Sequence, residues 1–423
     1  MEMNRAAAKS RVLIYAHYYH PDVASTGQIL KELAEGMLQS FDVTVICVVP
    51  SYSGKIAPEY KTRRFYTEEI NGVRVIRIRV PEFSKRNKLS RIRNIIAYFL
   101  GAIIATFKAG PANFVYSISQ PPILGGLLGV WGKWVKRAQY IYNIQDFNPE
   151  QTIAVGYSRN KPVLNAMLSV DKFSCKRADK VIVVGRDMMD TLQRRFKGKK
   201  VPRHVFINNW IDENEIYPLP SDHSRVAEFR QKYGLDNKFV FMYSGNLGLY
   251  YDLENLMPVI AKFKDRDDAA FAFVGDGTIR EKLVQYKQEH GLSNVIFIPY
   301  QDKADLVYSL NAGDVHWCIN AKGIKGVSVP SKLYGIMAAG KPILGVLERG
   351  SEARLIIEET NSGYVTEPGN YKEVEQLIAQ FLEMKDSEAL VQMSERARAY
   401  LVANLTKDVS IRKYTEEIRS LSI

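Results

Sequence analysis

The sequence predicts an α/β protein of two Rossmann-like, doubly wound domains facing a central cleft. Three observations lead there. Short β-branched runs alternate with helical patterns along most of the 423 residues. The runs are continuously apolar, as parallel strands buried on both faces require. A polar stretch bearing Pro218 and Pro220, Asn208–Ser224, separates two halves that each repeat the alternation.

In the first half the strands are expected at Val12–Ala16, Val43–Val49, Val73–Val80, Phe114–Ser119, Tyr140–Ile144, Val181–Val184 and His204–Ile207. Between the first two, Ile29, Leu30, Leu33, Ala34, Met37 and Leu38 keep a helical period. In the second half they fall at Phe239–Ser244, Phe271–Val274, Val295–Pro299, Val315–Ile319 and Ile343–Gly345. The expected organisation is a first domain over residues 1–207, a linker over 208–224, a second domain over 225–395 and an amphipathic helical segment over 396–423.

Hydrophobic residues make up 46% and charged residues 25%, which excludes global disorder. The net charge of +12 favours anionic partners. Cys47, Cys175 and Cys318 lie far apart, so neither a disulfide framework nor a zinc site is expected, and a reducing, cytoplasmic setting fits. The N-terminus is not expected to be a secretion signal. Ile95–Phe107 is an uncharged stretch of 13 residues, short of the roughly 20 that cross a bilayer. It follows a basic run of Arg74, Arg77, Arg79, Lys85, Arg86, Lys88, Arg91 and Arg93, with Lys108 at its end and Glu82 as the opposing acid. That arrangement suits a peripheral anchor on an anionic membrane surface; the alternative is a buried helix behind a solvated basic loop.

Ligands of open α/β sheets bind beyond the carboxyl ends of the strands, so chemistry belongs at the strand-to-helix junctions. Gly326–Pro342 is the richest of these. There Ser328 or Ser331 is placed to cap a helix, Lys332 adds a cation, and Gly340 with Pro342 ends it, giving either an anion site or a capped surface helix. Ser244–Gly248 and the end of Phe271–Gly277 are glycine turns that let a backbone approach a ligand, or ordinary strand-to-helix turns. In the first half Gly27 opens a helix after His17 and His20, and Gln145, Asp146 and Glu150 follow a strand. The two histidines are spaced i,i+3 but lie on a loop with Pro21, so substrate-contact or structural roles outweigh a metal pair.

Taken in order, HYYHPDVASTGQ, NIQDFNPE, VFINNWID, YSGNLG, FVGDG, VPSKLYGIMAAGKPI, GSEA and SGYVTEPGN resemble the retaining glycosyltransferases of family 4, of GT-B architecture. The likeness runs from Arg11 to about Leu401 and is nearest the subgroup that builds bacterial surface polysaccharides, the colanic-acid and N-acetylfucosamine transferases. It implies a nucleotide-sugar donor, expected to be a UDP-sugar, on the second domain and a lipid-linked or saccharide acceptor on the first, with retention. No metal and no cofactor are implied, and the enzyme would sit at the inner face of the cell membrane. By the same likeness Ser331, Lys332 and Leu333 grip the diphosphate, Ser244, Gly245, Asn246 and Gly248 approach it, and Gly27 touches it from the opposite wall. Pro299, Tyr300 and Gln301 line the base, and Glu352 lies beside the donor. His17, His20, Gln145, Asp146 and Glu150 form the acceptor side, with Lys332 and Asp146 the catalytic candidates.

The chain departs from the pattern. The two acids the family carries in an E-x7-E arrangement fall on Val327 and Gly335, Asn246 stands where arginine is common, and Tyr251 where lysine is. Lys332 is left as the main cation at the diphosphate, and Glu352 as the candidate for the ribose. Two other classes compete with this reading. A nicotinamide-dependent oxidoreductase would need G-x-G-x-x-G after the first strand, where the chain has only ASTGQ. A basic nucleotide- or nucleic-acid-binding protein would use Tyr18, Tyr19, Tyr250 and Tyr251 for stacking, but no binding module is present, so no nucleic-acid partner is expected.

Overall fold

The structure, a computed structural model, describes residues 9–22, 25–84 and 87–422. Val23 and Ala24 of the first glycine motif, and Lys85 and Arg86 of the basic run, lie outside the described residues. The first half runs β1 (Ser10–Tyr15), α1 (Ser25–Gly36), β2 (Phe41–Val48), β3 (Phe65–Ile70), β4 (Val73–Ile78), α2 (Lys88–Lys108) and β5 (Phe114–Ile118). It continues through α3 (Leu124–Lys136), β6 (Gln139–Ile144), α4 (Glu150–Ala154), α5 (Lys161–Arg177), β7 (Lys180–Val183), α6 (Arg186–Arg195) and β8 (His204–Phe206). Among the described residues these strands form one sheet in the order β3-β4-β2-β1-β5-β6-β7-β8, parallel except for β3.

The second half comprises α7 (Ser224–Lys232), β9 (Phe239–Ser244), α8 (Leu253–Ala261), β10 (Ala269–Val274), α9 (Arg280–Glu289), β11 (Val295–Ile298) and α10 (Leu306–Asn311). After these come β12 (Val315–Ile319), α11 (Lys332–Ala338), β13 (Ile343–Val346), α12 (Glu352–Thr360), β14 (Gly363–Thr366) and α13 (Tyr371–Glu383). The chain closes with α14 (Glu388–Asn404) and α15 (Lys407–Arg419). The second sheet is parallel throughout, in the order β11-β10-β9-β12-β13-β14.

Both sheets are covered on both faces, which is why their strands read as unbroken apolar runs. Two strands go beyond the expected set. β3 joins β4 through Asn71 and Gly72, both at positive φ, a two-residue hairpin whose Asn-Gly signal was in the sequence. β14 is a short edge strand paired to β13.

Two boundaries need correction. The break expected at Arg396 falls inside α14, whose Ala397 and Leu401 pack with α11 and α12 of the second domain. The chain then crosses back, and Ile411, Tyr414 and Ile418 of α15 enter the core of the first domain beside Leu33, Tyr116 and Trp210. The segment 208–224 is not a solvated tether either: Asn208, Asn209 and Trp210 are buried, and Ile211 bridges Thr406, so the two crossings between domains lie side by side.

The apolar stretch expected at Ile95–Phe107 is the greater part of α2, which is 21 residues long because Asn87 caps it eight residues earlier. Among the described residues it is the one helix long and apolar enough to cross a membrane. One of its faces, with Asn94, Tyr98, Gly101, Ala102, Ala105 and Thr106, packs on the sheet; a Cβ at Gly101 would lie 2.4 Å from Ile78. The other face leaves Leu89, Ile92, Ile96, Leu100, Ile104 and Phe107 exposed in a stripe of helical spacing.

Candidate functional site: a cleft between two sheets

Strand order reverses between β1 and β5 in the first sheet and between β9 and β12 in the second. At such switch points neighbouring connections leave in opposite directions and open a crevice beyond the carboxyl ends. The two crevices face each other, and the walls touch. The Phe147 amide donates to the Val327 carbonyl at 2.9 Å, Asp146 and Ser328 form an isolated bridge, and the Gly326 amide donates to Asp187 at 2.7 Å.

On the second wall the glycine turns are packed backbone to backbone. Gly245 and Gly275 sit at φ +143° and +136°, and a Cβ at Gly275 would meet the Gly245 carbonyl at 2.1 Å. The Lys332 stem lies across Gly245, with its Cε 2.7 Å from where a Cβ would stand. Its ammonium rests 3.3 Å from the ring centre of Tyr251 and 4.9 Å from that of Tyr243. Desolvation lowers the Lys332 pKa from 10.5 to about 7, only weakly opposed by the Cys318 thiol. No carboxylate pairs with it among the described residues. Ser244, Asn246 and Gly248 surround this turn, while Pro299 and Tyr300 are exposed at the end of β11, where Gln301 bonds back to the Pro299 carbonyl.

On the first wall a cavity of about 180 Å³ is lined by His17, Arg91, Asn94, Gln120, Asp146 and Asn148, among others. Burial drives the His17 pKa down to about 4, and its Nε2 has no hydrogen-bond partner among the described residues. Burial likewise raises Asp146 to about 6, against hydrogen bonds from Gln120 and Ser328. Burial and then the charge of Asp146 across the cleft raise the Tyr251 pKa to about 12, while Lys332 rests on the Tyr251 ring. Gly27 is buried near the start of α1, under the Tyr18 carbonyl.

Several expected site residues are occupied elsewhere. The Gln145 side chain is held by Asn143 and Asn209 in an amide network, because it points back under the sheet. Glu150 pairs with Arg195, which also holds Asp171. His20 is exposed and is not among the cavity's lining residues; its carbonyl accepts from Arg77. The Leu333 side chain is in the core and its amide donates to the Pro330 carbonyl, while Tyr334 donates to Ser331. Ser331 precedes α11 without capping it through its side chain.

Glu352 is 2% exposed and spans the domains, accepting from the Arg186 amide at 2.9 Å, from its guanidinium at 2.8 Å and from Asn208 at 3.0 Å. It is a clasp between domains in this conformation rather than a free ribose ligand. Of the family's two missing acids, Val327 instead packs into the first domain's core. An Asp-x-Asp triplet, Asp265-Arg266-Asp267, occurs only on the exposed turn entering β10, at the far end of the sheet from the cleft. Among the described residues no cluster of His, Cys, Asp and Glu could hold a metal.

Sequence reasoning did not find Tyr251 as the seat of Lys332, nor Arg186 and Asp187 as the domain contact, nor Asn94 and Gln120 in the cavity. Only the doubled tyrosine one residue beyond the SGNLG turn carried a local signal.

Facing crevices on two parallel-sheet domains are the architecture of the GT-B glycosyltransferases. The chain belongs to that class: residues 225–400 match the family described as glycosyl transferases group 1, and residues 26–210 the glycosyl transferase 4-like domain. It is 27% identical to the protein named as probable glycosyltransferase WbjE of Pseudomonas aeruginosa, covering 97% of this chain and 98% of that one. It is 24% identical to the Escherichia coli K12 protein WcaI, named for colanic acid biosynthesis, over 97% of this chain and 100% of that one. In fold it resembles sucrose-phosphate synthase from Thermosynechococcus elongatus (TM-score 0.74, 16% identity, 98% and 99% of the two chains). It also resembles Anabaena HepE in complex with UDP and glucose (TM-score 0.70, 16% identity, 97% and 99%).

Proposed function

We propose that this glycosyltransferase moves a sugar from a UDP-sugar to a lipid-linked saccharide in bacterial surface-polysaccharide synthesis, with retention and without a metal. The observation that carries the donor side is the uncompensated Lys332 ammonium beside the Gly245 turn. As the glycosidic bond breaks, charge collects on the departing diphosphate, and a preorganised cation in a desolvated cleft stabilises it at that moment. The neighbouring glycines let the phosphates approach the backbone.

Asp146 is the group that would receive or orient the acceptor hydroxyl. It lies in the cavity of the opposite wall, and a carboxyl at about 6 is mostly ionised at pH 7. A lipid-linked acceptor is supported by the helix above that cavity. Arg91 and Ile95 of α2 line it, and the same helix exposes its apolar stripe beside Lys88 and Arg93. A stripe of this kind with flanking cations suits the interface of an anionic leaflet, each cation contributing about 1 kcal/mol. The enzyme would then be peripheral at the cytoplasmic face of the membrane.

A panel of nucleotide-sugars in thermal melts, followed by transfer to membrane-extracted acceptor with and without EDTA, tests the reading. A donor at 100 times its Kd adds about 2.7 kcal/mol to the folded state. UDP-sugars should raise the melting temperature and be consumed equally in EDTA. A panel in which no nucleotide-sugar shifts the melt overturns the donor assignment, and full loss of transfer on chelation overturns metal independence.

A further inference from the structure

We propose that Tyr251 is a positioning residue for Lys332, its ring face holding the ammonium over the cleft in place of a carboxylate. The proposal rests on the reading of Lys332 as the cation for the donor diphosphate.

A desolvated ammonium needs a counter-group, and lysines in such settings normally find an acid. Here the ammonium sits 3.3 Å from the Tyr251 ring centre and 4.9 Å from that of Tyr243. The π face carries the negative end of the ring quadrupole and attracts the cation without bearing net charge. That distinction matters at a diphosphate site. A carboxylate would hold the lysine equally well but would repel the incoming phosphates, whereas a ring leaves the full positive charge available to them.

The geometry around the ring is built for this seat. Tyr251 lies on the single 3₁₀ turn Leu249–Tyr251 that follows the glycine turn, and its ring meets Tyr243 edge to face at 6.0 Å. The Tyr243 hydroxyl donates to the Asn246 carbonyl at 2.8 Å, bracing the turn that Lys332 crosses. Gly245 completes the slot, because any side chain there would displace the lysine stem. The titratable groups facing the ammonium are Tyr243 on β9, Tyr251 itself and the Cys318 thiol on β12, and Asp146 on the opposite wall acts on Tyr251 through its charge.

The test uses the full chain with lysine labelled for NMR, the Lys332 resonance being assigned by its loss in Lys332→Met. The Lys332 titration is followed in wild type, Tyr251→Phe, Tyr251→Leu and Tyr251→Met, and UDP affinity is measured across the same pH range. Losing a desolvated cation–ring contact should lower the Lys332 midpoint by about one pH unit in the leucine and methionine variants. The phenylalanine variant, which keeps the ring, should keep the wild-type midpoint. A midpoint that stays or rises in both ring-free variants overturns the proposal. If the midpoint moves as expected but UDP affinity ignores pH, the seat stands and the assignment of Lys332 to the diphosphate falls.

Discussion

Replacing Lys332 by methionine should weaken transfer and strengthen the fold. Methionine fills the same slot across Gly245 without bringing a charge into it. In the wild type, burial holds the Lys332 pKa at about 7 against an ordinary 10.5. Because the folded value lies below the unfolded one, the unfolded chain binds more protons between about pH 7 and 10, and wild-type stability rises with pH through that window. The shift is equivalent to about 4–5 kcal/mol at 1.36 kcal/mol per unit. That shift already contains the ring's attraction for the cation, so the whole of it, about 4 kcal/mol, is the net gain expected of methionine near pH 7. The variant should therefore melt several degrees above wild type at pH 7, with the difference shrinking toward pH 10. Transfer should fall by about 30- to 1,000-fold in kcat/KM, the loss of about 2–4 kcal/mol that one preorganised donor supplies. Scanning calorimetry at the two pH values, paired with turnover of a UDP-sugar, reads both effects. Turnover within about threefold of wild type, or a lower melting point at pH 7, would refute the reasoning.

Three further outcomes follow from the same geometry. The pH profile of kcat/KM should rise through an acid limb near pH 6, where Asp146 loses its proton, and Asp146→Asn should abolish both the limb and most of the rate; an unchanged limb in that variant excludes Asp146 as its origin. Arg186→Ala should lower stability in urea by about 1–3 kcal/mol, because the buried Glu352 keeps only Asn208 and one backbone amide. The combined change of Leu89, Ile96 and Phe107 to serine should strip the protein from anionic liposomes in flotation, since each removes about 1–2 kcal/mol of apolar contact; undiminished flotation at low salt would place the membrane surface elsewhere.

Much of the fold was open to reading because it is written locally. Buried parallel strands need unbroken apolar runs, and the runs ending at Tyr15, Ile144, Ser244 and Ile319 could be placed within a residue or two of their observed ends. Positive φ demands glycine, so the turns at Gly245 and Gly275 marked themselves. The Asn71-Gly72 hairpin carries an equally local signal, an Asn-Gly pair between two short strands.

Side-chain employment was decided only in three dimensions. Gln145 and Asp146 are adjacent on one strand exit, yet one points back to Asn209 and the other into the cavity, a choice set by strand pleat and by what lies beneath. Glu352 and Arg186 are far apart in the chain and meet only because the domains close on each other. Residues 396–404 and 407–419 share an amphipathic character, but the partner for each apolar face is chosen by where the crossing at Ile211 and Thr406 leaves the chain. Two doubly wound domains, and the class of chemistry their junctions can host, are therefore written in the local pattern of residues. Which carboxylate faces the cleft, and that a lysine there rests on a ring instead of an acid, was left to tertiary packing, because long-range contacts carry no periodicity along the chain.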